Sequence, residues 1–127
     1  MNRTVVIRIG PAEEPRRELK ADLAAMMAGE QVRRRREIWF PSLEQLASVL
    51  TNKRLELLRL IHRRRPQSVM QLARLAKRGV RAVECDLRIL ARAGLVKVIE
   101  TGTTKRPVAG YDRIHLAGDI PIARAAA

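Results

Sequence analysis

Arg81, Cys85, Arg88 and Arg92 recur at steps of four, three and four residues. At about 100° per residue, that spacing sets all four on one arc of an α-helix. Val83, Leu87 and Leu90 fall on the opposite arc. A guanidinium can donate to O6 and N7 of a guanine together, and a small apolar side chain can meet the methyl of thymine. Three arginines along one edge of a helix, with Ala82 and Ile89 beside them, therefore carry the chemistry of a duplex major groove. An ordinary amphipathic helix would present the same arc as a wet, basic face. The residues before it favour the first reading: Ser68–Ala76 has the spacing of a short bracing helix and Lys77–Gly79 of a tight turn, which completes a helix-turn-helix. The base-reading candidates are Arg81, Ala82, Cys85, Arg88 and Arg92. Glu84, on the margin of the arc, would repel phosphate or accept from a cytosine. Asp86 lies near the buried side and is expected to pair with a neighbouring arginine.

Phosphate contacts hold a protein in register on a duplex without reading its sequence. The candidates for that role are Lys53 and Arg54 at the start of one helix, and Ser68, Gln71 and Arg74 on the bracing helix. Lys77 and Arg78 in the turn, and Thr104, Lys105 and Arg106 at the tip of an expected hairpin, complete the set. Arg63, Arg64 and Arg65 would form a second phosphate clamp, or simply the cations that suit a helix C-terminus. The run Arg33–Arg36 reads as a solvated loop before a strand or as a further phosphate contact. Cys85, set among arginines, could sense oxidants, yet the sequence holds no second cysteine to resolve its sulfenate.

Other chemistry lacks its parts. The sequence shows no nucleophile–base set, no glycine-rich phosphate loop and no paired carboxylates, so no enzyme and no cofactor are expected. His62 and His115 are far apart and without ligand-spaced partners, so no metal is expected either. No apolar run approaches the ~20 residues that span a bilayer, and there is no signal-peptide core, so no membrane is expected. A single cysteine makes the reducing cytoplasm the default compartment.

The charge of +13 at pH 7 is unevenly spread. Residues 1–50 carry a net +2, residues 51–106 a net +11, and residues 107–127 balance. The surplus points to a polyanionic partner, with solubility as the plainer alternative. With 46% hydrophobic residues but only 2% aromatic, the chain is too apolar for a disordered basic tail, and its core must be aliphatic.

The elements that must position these residues follow from period and punctuation. Thr4–Ile9 alternates as a strand, with Val5, Ile7 and Ile9 on one side. Pro11 and Pro15 open a helix with Leu19, Leu23, Met26 and Met27 on its stripe, and Gly29 closes it. Arg36–Phe40 alternates again, with Trp39 opposite Ile38 and Phe40. Two strands are marginal alone, so this arm must pair with the rest of its chain or with a second copy. Ser42 and Gln45 match a capping box, opening a helix with Leu43, Leu46, Ala47 and Leu50 on one face. Thr51 caps the next helix, apolar on most sides through Leu55, Leu57, Leu58, Leu60 and Ile61, and Pro66 stops it. Ser68 caps a helix with Val69, Leu72, Ala73 and Ala76 inward. After Gly79 a last helix runs with Val80, Val83, Leu87 and Leu90 inward, ending at Gly94. Leu95–Glu100 and Tyr111–Leu116 read as two strands around the polar turn Thr101–Arg106. The expected fold is mainly α with small β (α+β): a winged helix-turn-helix domain over 42–118, after a β-α-β arm over 1–41 and before a flexible tail over 119–127.

Ser42-Leu43-Glu44, the block Leu50–Leu58, Ser68–Ala73 and Ala93-Gly94-Leu95-Val96 resemble small prokaryotic winged-helix regulators related to the MarR and ArsR groups. These carry a short strand–helix arm and a strand like Tyr111–Ile114 after the wing. The resemblance implies a dimeric transcription factor and, in some genomic settings, the antitoxin half of a toxin–antitoxin pair. The chain departs from the family pattern at Ala82, Glu84 and Cys85, where Asn, His and Arg are usual, which shifts weight to Arg81, Arg88 and Arg92. The expected function is sequence-specific double-stranded DNA binding by a homodimer, with the helix at 80–93 in the major groove and the wing at 101–106 on the backbone or minor groove. The alternatives are an antitoxin-like module that binds a protein partner and a nucleoid-type binder without sequence preference.

Overall fold

The computed structural model describes residues 3–10, 24, 27–29, 36–120 and 122. Among them the chain forms a mixed α+β structure of four helices and five strands. It divides into two compact units, Met1–Arg3 with Ala47–Arg113 and Thr4–Leu46 with Ile114–Ala127.

The second of these units is built on a three-stranded sheet. Strands β1 (Thr4–Ile9), β2 (Arg36–Phe40) and β5 (Arg113–Ala117) lie in the order β2-β1-β5. β1 and β2 are parallel, with Val5 opposite Arg36 and Ile9 opposite Phe40. Parallel neighbours need a crossover connection, and the stretch between them is long enough to supply one. The helix expected there lies outside the described residues except at Ala24 and Met27–Gly29, where Ala28 N donates to Ala24 O at 3.0 Å and Gly29 has φ +83°. Met27, expected on the apolar stripe, is 89% exposed, with nothing packed on it among the described residues. In the middle strand, Val5, Val6 and Ile7 are all buried, where a one-sided alternation was expected. One face carries a polar cluster, as Arg8 pairs with Glu37 at 3.2 Å and lies over the Trp39 ring, whose Nε1 donates to Glu37.

The first unit is helical at its centre. Of helix α1 (Leu43–Val49) it holds the part from Ala47, followed by α2 (Asn52–Arg64), α3 (Val69–Ala76) and α4 (Val80–Arg92). Each of the first three starts where a hydroxyl satisfies an orphan N–H. Ser42 Oγ accepts from Gln45 N, Thr51 Oγ1 from Arg54 N and Ser68 Oγ from Gln71 N. α2 and α3 end in left-handed residues, Arg65 and Lys77. The core joins Leu57 and Ile61 of α2, Leu72 and Ala73 of α3, and Val83, Leu87 and Leu90 of α4. Two inward faces are narrower than the pattern implied. On α1 only Leu46 is buried while Leu43 is 52% exposed, and Val80, in the first turn of α4, is also exposed.

The hairpin differs from the expected one. β3 (Val96–Thr101) pairs antiparallel with β4 (Thr104–Ala109), from Val96 opposite Ala109 to Thr101 opposite Thr104. The turn is Gly102-Thr103 alone, and Gly102 at φ +62° suits the first central position of a two-residue type II′ turn. Tyr111–Leu116, expected as the second hairpin strand, instead contributes β5 to the sheet beside β1. Pro107 hid the true partner: it cannot donate to a ladder, so it weakens a strand signal, yet it is tolerated on an edge strand.

Where the chain leaves the hairpin, Asp112 forms a clasp. Its N–H donates to Arg3 O at 2.7 Å, its Oδ2 accepts from Arg3 N at 2.9 Å, and its Oδ1 lies 2.7 Å from His62 Nε2. The Arg3 backbone N–H first, and His62 second, hold the Asp112 carboxyl below the usual carboxylate range.

Candidate nucleic-acid interface

α4 presents one face to the core and the opposite one to solvent. Val83, Asp86, Leu87 and Leu90 are buried, while Arg81, Ala82, Glu84, Cys85, Arg88 and Arg92 are exposed. All five base-reading candidates therefore lie on the solvent side of a single helix. Ile89, expected beside them, is half-buried, which leaves Ala82 as the exposed apolar neighbour.

Asp86 anchors the helix. Arg54 Nε lies 3.1 Å from its Oδ1 and Arg78 Nη2 2.8 Å from its Oδ2, and all three side chains are largely withdrawn from water. Arg54 Nη1 also donates to the carbonyls of Ser48 at 2.6 Å and Val49 at 3.0 Å. Carbonyls in the last turn of a helix have no partner within it, so one guanidinium closes α1 and fixes α4. Arg54 and Arg78, expected on the phosphate backbone, are thus corrected to structural cations. A buried carboxylate requires hydrogen-bonded counter-charge, and these two arginines supply it. The position of Asp86 on the helical wheel announced that need, but nothing in the spacing identified Arg54, which lies 32 residues away.

The other backbone candidates keep varied freedom. Lys53, Arg74 and Lys77 are exposed. The Ser68 hydroxyl is occupied as a cap, and Gln71 Oε1 accepts from Gln67 N at 2.7 Å. Thr104, Lys105 and Arg106 are exposed but lie along β4, not at the tip. Lys105 stands opposite Glu100 in the ladder, within reach for a cross-strand charge pair; reading Thr101–Arg106 as one loop concealed that neighbour. Arg63 and Arg64 are exposed in the last turn of α2, where cations favour the helix dipole. Of Arg33–Arg36, only Arg36 falls within the described residues, exposed at the start of β2.

Cys85 is exposed and unpaired. Among the described residues no group of three or more His, Cys, Asp or Glu side chains could hold a metal ion, and no helix is long and apolar enough to cross a membrane.

A family model, HVO_A0114, matches residues 49–116, which run from the end of α1 into β5 and make up more than half of the chain. No curated protein matches it.

Proposed function

The chain belongs to the HVO_A0114 family, and we propose that this member binds double-stranded DNA through α4 as a transcriptional regulator. In this reading α3 and α4 are the two arms of a helix-turn-helix, α4 enters the major groove, and the β3–β4 hairpin is the wing that rests on the adjacent backbone. The observation that carries it is the division of α4: Arg81, Arg88 and Arg92 face solvent with Ala82 and Cys85, while Asp86 and three aliphatic residues lock the opposite face. The cationic surplus of residues 51–106 supports it, as does the resemblance to small prokaryotic winged-helix regulators. A homodimer would place two such helices on successive half-sites.

Selection from a random duplex pool, followed by binding of the winning site and of random duplex, tests the reading. Arg88→Ala is expected to weaken the selected site by about 1–3 kcal/mol while changing random-duplex affinity much less. Equal losses on both duplexes would remove base reading by Arg88. A pool that yields no preferred site would leave a binder of duplex without sequence preference.

A further inference from the structure

The first unit holds a cleft of about 610 Å³ between the C-terminal end of α2 and the second half of β4. Its lining includes the apolar residues Ile61, Pro66 and Pro107, which are buried, and Val108 and Ala109, which are half-buried. Three arginines, Arg3, Arg65 and Arg106, and a single acidic residue, Asp112, also line it. Both oxygens of that carboxylate are already taken, one by Arg3 N and one by His62 Nε2. Its charge offsets one of the three cations, and among the described residues no acidic side chain is paired with Arg65 or Arg106. Arg65 is held by the backbone: its left-handed conformation and its N–H bond to Ile61 O fix the direction in which it leaves α2.

We propose that this cleft binds a small organic anion, an oxyanion head on an apolar body, apart from any duplex on α4. The volume lies within the range of small-molecule sites, which join an apolar lining to a few convergent polar groups. Guanidiniums recognise planar or tetrahedral oxyanions through paired N–H donors. The half-buried Val108 and Ala109 give an apolar body somewhere to leave water, which a bare inorganic anion could not use. The Asp112 clasp sets the rim by fixing Arg3 and His62 on one wall. Arg106, a phosphate-backbone candidate from the sequence, serves the head group here.

Calorimetric titration of the full chain tests this with phenyl phosphate, benzoate, inorganic phosphate and phenol. Saturable one-to-one binding of phenyl phosphate or benzoate is expected, about tenfold or more tighter than inorganic phosphate or phenol. The stronger of the two probes identifies the head group as phosphate or carboxylate. Arg65→Gln and Arg106→Gln should each weaken the better probe about tenfold. Arg63→Gln, which removes the same charge two residues from Arg65 and outside the cleft, should leave it unchanged. An equal loss in Arg63→Gln would reduce the effect to general charge and overturn the site. So would the absence of saturable binding, or inorganic phosphate binding as tightly as the aryl anions. Duplex that displaces the probe only in proportion to inorganic phosphate would assign the rim to nucleic-acid backbone, which also overturns the proposal.

Discussion

Asp86 faces inward from a helix whose other side is lined with arginines, and its two partners come from α2 and the α3–α4 turn. Asp86→Ala would strand two guanidiniums in a mostly buried position. The expected loss is about 3 kcal/mol, at the low end for removing one member of a buried pair, read from the urea midpoint of the full chain. Arg54→Ala should destabilise similarly, since it also uncaps Ser48 and Val49. If Arg54 instead sat on phosphate, its loss would spare stability and weaken DNA binding. The inward turn of Asp86 was legible because a helix has a fixed angle per residue. The identity of its partners was not, because an ion pair across 32 residues depends on how three helices pack and leaves no period in the chain. Asp112 offers a second test at this scale. Its pKa is lowered in the folded state, so its contribution is present above the unfolded value, near pH 4. It fades as the pH falls through the folded value. Asp112→Asn should therefore lower the melting temperature at neutral pH and approach the wild type in strong acid; a difference that persists in acid would exclude the clasp as its source.

At the scale of elements, capping chemistry was the most readable signal. Thr51 and Ser68 stand where their hydroxyls accept the first free N–H groups, and the helices begin there. Strand partners were harder to read. Tyr111–Leu116 alternates better than Thr104–Ala109, yet a strand pattern states only that a segment pairs, not with which edge. The two-residue turn decided the matter by bringing Thr104 opposite Thr101. Gly102→Ala should cost about 1 kcal/mol, because a Cβ at φ +62° strains the turn although nothing crowds it. Urea titration reads that loss; a neutral result would mean the turn relaxes to another type.

For the whole molecule, the uneven charge gives a measurable slope. The logarithm of duplex affinity should fall with the logarithm of salt concentration by roughly 0.9 per phosphate neutralised. Lys105→Ala should reduce that slope by about 1, and an unchanged slope would take the hairpin off the duplex. Composition made the concentration of cations in residues 51–106 readable, whereas the joining of the arm to the far end of the chain was not. The order β2-β1-β5 explains why: the central strand has one neighbour nearby in sequence and the other about a hundred residues away. During synthesis at about 5–20 residues per second, β1 would emerge from the ribosome some 5–20 seconds before its second neighbour exists. Val5, Val6 and Ile7 would spend that interval half covered, as a waiting edge open to chaperones. A nascent chain arrested before Arg113 should accordingly be cut by protease within its first strand while its helices resist.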